Sequence, residues 1–150
     1  MPEASESGMD AVVETERIKQ LKARYCRFVD TKSWAEWRAC FTDDMQLMRD
    51  SPSGPEPAMT AGQLVSHVSA LLADAITVHH CHTPEIELTS ATTASGVWAM
   101  YDWVDQQKNP AESFIGYGHY LESYEKGADG QWRIRRMQLR RLRLDYPNKK

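Results

Sequence analysis

The run His79-His80-Cys81-His82 holds three of the chain's five histidines in four residues. Imidazole titrates closer to neutrality than any other side chain, so such a cluster suits proton transfer or metal binding. Extended backbone sends alternate side chains to opposite faces, which groups His79 with Cys81 and His80 with His82. As metal ligands, His80 and His82 have a workable spacing with His119 as a third donor. No further residue set completes a zinc pattern, so no metal is expected. Nothing around Cys81 in the sequence lowers its thiol pKa, and it is not read as a nucleophile.

A second candidate lies downstream. Trp98, Met100 and Asp102 share one face of an extended segment, and two large apolar neighbours mark that face as inward. A buried carboxylate needs a donor, and His79 on the adjoining segment is the natural one. An aspartate on one ring nitrogen would fix the tautomer and leave the other nitrogen free as a base. The same pair could equally be a core hydrogen bond without catalysis. Tyr25 sits on an apolar helical stripe and is read either as core or as a donor at the site. Asp30 follows near the end of the same helix, where a negative charge is mildly unfavourable. Arg140 shares strand parity with Trp132 and Ile134, which turns it inward as an anion or oxyanion partner; a bulge would promote Arg141 instead.

The elements that must position these residues are legible in outline. Ile18, Leu21, Tyr25, Phe28 and Val29 give a helix over about Val12 to Asp30. Ser33 and Glu36 suggest a capping box opening a short helix to Phe41, with Trp34, Trp37 and Phe41 on its apolar side. Met45 to Met48 reads as a short strand. Arg49 to Pro57 reads as an irregular loop, because three prolines and a glycine interrupt it. Thr60 and Gln63 open a third helix to about Ala73. Four strands follow, at Val78–Leu88, Ala91–Asp105, Ile115–Lys126 and Gln131–Leu144, the last two joined by the hairpin turn Gly127-Ala128-Asp129-Gly130. Helices first and long neighbouring strands afterwards predict an α+β fold with helices on one face of an antiparallel sheet.

Composition excludes several classes. A chain of 150 residues with 41% hydrophobic and 26% charged residues fits one globular domain. Its net charge of −3 does not call for nucleic acid, and the late arginines read as a solvated strand face. Three scattered cysteines without a C-x-x-C pair suggest a reducing compartment. Residues 1–10 are small and polar, read as a disordered leader rather than a signal peptide. No apolar stretch approaches a membrane span, so a cytoplasmic protein without a membrane partner is expected. Residues 11–146 are read as one domain and 147–150 as a tail.

The order and spacing of these pieces resemble the SnoaL-like branch of the nuclear transport factor 2-like superfamily, from about Val12 to Asp145. The resemblance is carried by the stretch Ile18 to Trp34 with Tyr25 and Asp30, by Phe41-Thr42-Asp43-Asp44, and by Val78-His79 with Pro84-Glu85-Ile86. Gly118-His119-Tyr120 and Asp129-Gly130-Gln131-Trp132-Arg133-Ile134 complete it. It implies a cone of curved antiparallel sheet closed by three N-terminal helices around an apolar cavity. It also implies cofactor-independent chemistry of the dehydratase, isomerase or cyclase type on a hydrophobic, carbonyl-containing substrate such as a steroid or polyketide. A non-catalytic binding or assembly domain of the same fold is the alternative. Members similar to bile acid dehydratase and scytalone dehydratase imply a catalytic set of His79, Asp102, Tyr25, Asp30 and Arg140. Trp98, Met100, Trp132 and His119 are expected to line the substrate pocket. An apolar sheet face implies a homo-oligomer, dimer or trimer.

Overall fold

The computed structural model describes residues 3–150. Helix α1 (Glu3–Asp30) begins inside the segment whose composition suggests a leader; residues 1–2 of that segment lie outside the described residues. After it come α2 (Trp34–Arg38), β1 (Phe41–Ser51), β2 (Gly54–Thr60), α3 (Ala61–Leu71), β3 (Ala75–Leu88), β4 (Thr93–Gln106), β5 (Phe114–Lys126) and β6 (Trp132–Asp145). The strands form one curled sheet in the order β2-β1-β6-β5-β4-β3. All neighbours run antiparallel except β1 and β6, which are parallel. The helices close its concave face.

Two local expectations change. The proline-rich stretch read as a loop is a hairpin, with Arg49 opposite Glu56 and Ser51 opposite Gly54. Pro55 and Pro57 fit because β2 is the edge strand, where a missing N–H breaks no ladder. Ser33 does not cap α2; its hydroxyl meets that of Thr31 at 2.9 Å, and α2 ends at Arg38 so that Phe41 can start β1. Thr60 and Gln63 do form both halves of the capping box on α3.

The stripe of α1 is buried at Ile18, Leu21, Tyr25 and Val29, against inward residues of β3 to β6. The stripe also carries a charge. Lys22 and Glu122 form an ion pair with side chains 1% and 0% exposed. The Lys22 ammonium lies 3.8 Å from the ring centres of both Tyr25 and Tyr120. Glu122 also accepts from the Tyr124 hydroxyl at 2.5 Å, which itself accepts from Trp98 Nε1 at 2.8 Å. Burial is the largest single influence and opposes the ammonium, but the charge and hydrogen bond of Glu122, together with Cys81 and Cys26, outweigh it and hold Lys22 above its ordinary pKa. Every polar atom here has a partner, which is what makes such a pair tolerable in the core.

Removing one member leaves the other charged and dry. We expect Lys22→Met to cost about 3–5 kcal/mol in urea unfolding, and Lys22→Met combined with Glu122→Gln to recover most of it. A single variant as stable as the parent would show that the pair is not held as described.

Candidate active site

Helix α1 ends with Asp30 pointing at β3. Its carboxylate accepts from three donors: the His79 backbone N–H at 2.9 Å, the Thr77 hydroxyl at 2.9 Å and the His79 ring at Nδ1, 2.6 Å. A helix C-terminus disfavours a carboxylate by about 0.3–1 kcal/mol. Hydrogen bonds to a charged group are each worth about 1.5–3 kcal/mol, so the donors decide the geometry. With Nδ1 engaged by Asp30, Nε2 is the nitrogen left for chemistry. The His79 side chain is 11% exposed and lines the interior cavity.

His79 and Asp102 face each other across β3 and β4, as strand alternation predicts. They are not hydrogen-bonded partners, however. Asp102, 3% exposed, is held by both terminal nitrogens of Arg141 at 3.1 Å each. Arg141 stands two strands away on β6 and must cross β5 to reach it. It passes over Gly116, where a Cβ would come within 2.0 Å of both Asp102 Oδ1 and Arg141 Nη1. The missing side chain is the passage.

Arg140, the arginine expected inward, is exposed instead. Tyr124 pairs with Ile134 but Ser123 pairs with Arg136, so Arg135 is an extra residue that reverses the alternation of β6. Met137, Leu139 and Arg141 therefore face inward, and Arg140 faces out. The backbone oxygen of Arg140 packs where a Cβ on Gly118 would stand, at 2.2 Å.

Tyr25, His79, Asp102 and Arg141 line one cavity of about 180 Å³. Its remaining wall is apolar or aromatic: Val29, Trp37, Leu64, Val104, Phe114 and Tyr120 contribute. Burial pushes the phenols of Tyr25 and Tyr120 well above their ordinary range, so both stay protonated donors. The Tyr25 hydroxyl lies 3.8 Å from Met137 Sδ and also interacts with Tyr120.

The residues expected as pocket wall lie elsewhere. Trp98 and Met100 share the face of Asp102 but sit further along the strand, away from this cavity; Trp98 borders a separate, more open pocket beside His79 and Lys22. Trp132 lies under the middle of α1, donating from Nε1 to Glu14 at 2.6 Å. His119 alternates with buried Tyr120 and takes the opposite face. His80 and His82 are exposed there too, with the His80 ring 6.2 Å from that of Tyr101. Among the described residues, no group of three or more His, Cys, Asp or Glu side chains is placed to hold a metal ion. The Cys81 thiol is pushed far up by its contact with Cys26 and by burial, which suits no nucleophile. Trp37 and Tyr120 are wall residues that the sequence did not mark as such, whereas Arg141 is the alternative that a bulge was expected to promote. Gly116 and Gly118, alternating on the inward face of β5, were the one visible sign of something large crossing there.

Residues 10–138 match the SnoaL-like domain family, and the chain belongs to it, within the nuclear transport factor 2-like superfamily. Solved structures share the fold. A scytalone dehydratase-like protein from Novosphingobium aromaticivorans is 20% identical, covers 93% of this chain and 91% of its own, and has a TM-score of 0.79. A function-unknown protein from Mycobacterium tuberculosis is 27% identical over 89% of this chain and 75% of its own, with a TM-score of 0.73. A hexachlorocyclohexane dehydrochlorinase from Novosphingobium barchaimii is 18% identical over 92% of each chain, with a TM-score of 0.73. No helix among the described residues is long and apolar enough to cross a membrane.

The steric passage at Gly116 is open to test. Gly116→Ala should separate Asp102 from Arg141 and lower thermal stability by about 1–3 kcal/mol, the usual cost of overpacking. An unchanged melting temperature would mean that the ion pair does not need the passage.

Proposed function

We propose that the protein is a cofactor-independent lyase that removes a proton and a leaving group from adjacent carbons of a compact, apolar, carbonyl-bearing substrate. The observation that carries this reading is the Asp30–His79 pair, whose histidine lines an apolar cavity and whose second ring nitrogen is not engaged by Asp30. His79 Nε2 would take the proton from carbon, and the Asp30 carboxylate would stabilise the imidazolium that forms. The electron pair freed from the C–H bond makes the new double bond as the leaving group departs with its own pair. His79 then returns the proton to the leaving group or to water. Where the proton is next to a carbonyl, charge builds on oxygen, and the protonated Tyr25 hydroxyl is placed to donate to it. Arg141, neutralised by Asp102, would orient the substrate rather than bind a free anion.

Two neighbours of this fold are described by their names as eliminating water or hydrogen chloride, which supports the same reaction class here. A non-catalytic binding domain would account for the cavity. It would not account for a carboxylate that commits three acceptor bonds to His79 and the strand holding it. Cavity size narrows the substrate. An apolar cavity of roughly 150 Å³ takes benzene, so about 180 Å³ suits one ring or two small fused rings. A four-ring steroid would require α3 to move away from the sheet.

His79→Ala should fold and lose at least about a hundredfold in turnover, the lower bound for a general base. Near-parental activity on the correct substrate would sink the assignment. The two arginines separate by the same assay. Arg141→Ala should lose activity and stability together, because Asp102 is left buried and unpaired, whereas Arg140→Ala should stay within about 0.5 kcal/mol of the parent and keep its rate.

A further inference from the structure

Every carboxylate at or beneath the cavity is already matched: Asp30 to His79, Asp102 to Arg141, Glu122 to Lys22 and Tyr124. The donors are not. Trp37 sits in α2, 1% exposed, and lines the cavity. Its indole Nε1–H is buried without any hydrogen-bond acceptor in the protein. The Tyr25 ring lies 5.5 Å away, centre to centre, and its hydroxyl has a thioether sulfur, a weak acceptor, at 3.8 Å. Buried N–H groups without partners are rare and call for an occupant that supplies the acceptor.

We infer that Trp37 is a substrate-binding residue whose indole N–H, beside the Tyr25 hydroxyl, holds a neutral oxygen acceptor of a small ring compound. This deepens the proposed lyase reading by naming what the substrate must present, and it rests on the cavity being that site. A ketone fits the chemistry. It accepts two hydrogen bonds and carries no charge, and its oxygen becomes more basic as a neighbouring C–H bond is broken. A carboxylate fits less well, since the ionisable groups lining the cavity are already paired: His79 with Asp30 behind it, and Arg141 with Asp102. The other faces of the indole are covered by Trp34 and Phe41, at 5.9 and 5.4 Å between ring centres. Those contacts hold the ring in place whether or not a ligand is bound.

The experiment uses the full chain labelled with 15N at its tryptophan indoles, titrated with indanone and with indane, the hydrocarbon of the same shape. The Trp37 resonance, assigned by its loss in Trp37→Phe, should move downfield with indanone and stay in place with indane. Replacing Trp37 by benzothienylalanine keeps the ring volume and removes only the N–H. That protein should bind indanone about three- to tenfold more weakly, the worth of one neutral hydrogen bond, and bind indane as before. A resonance that does not respond to bound indanone, an equal loss for both probes, or no binding of indanone would overturn the inference. The readout is binding and not turnover. An active His79→Ala protein would therefore refute the lyase reading without touching this one.

Discussion

The site depends on one carboxylate placed where a carboxylate is least welcome. Asp30 is the last residue of α1, at the negative end of a long helix dipole. It is stable there because β3 brings it three donors, two of them from a single residue. The reverse dependence matters as much. The backbone bond from His79 to Asp30 fixes where the strand sits under the helix, and the ring bond fixes which nitrogen of the imidazole is free. Position and tautomer of the base are thus set by the same side chain. Lys32 adds a second tie between the turn after α1 and the start of β3, donating to the Ala75 carbonyl at 2.5 Å.

A second constraint is steric. Asp102 and Arg141 are separated by a whole strand, and only glycine at position 116 lets them meet. With Asp102 engaged by Arg141, Asp30 and Asp102 serve different partners and do not compete for His79.

Much of this was legible in the residues themselves. Alternation placed His79 opposite Asp102, the α1 stripe turned Tyr25 inward, and the Thr60–Gln63 box began α3 as expected. Three things were not legible, each for a physical reason. The partner exchange between His79, Asp30 and Asp102 depends on how a helix end docks on a strand, a tertiary fact with no local pattern. The inward arginine depends on one extra residue at Arg135, and a β-bulge in a run of arginines has no composition to betray it. Lys22 breaks the apolar pattern of α1, and a lysine on a buried stripe reads as a register error unless Glu122 is already known to face it. The bile acid-type correspondence pointed to the right elements and to one wrong arginine, because it followed spacing across that bulge.

The buried ion pair also anchors two walls of the cavity. Inward residues of β4 run from Ala94 through Trp98 and Met100 to Asp102 and Val104, and the last two line it. Lys22 is clamped between the rings of Tyr25 and Tyr120, which line it too. An apolar side chain of equal length would fill the same volume but would not fix both aromatic rings. Held this way, Tyr25 keeps its place in the cavity wall, with its hydroxyl beside the Met137 thioether. Stability below the site and a fixed wall within it are then two results of one arrangement: the charge that anchors the ring belongs to the core, and the ring it anchors belongs to the cavity.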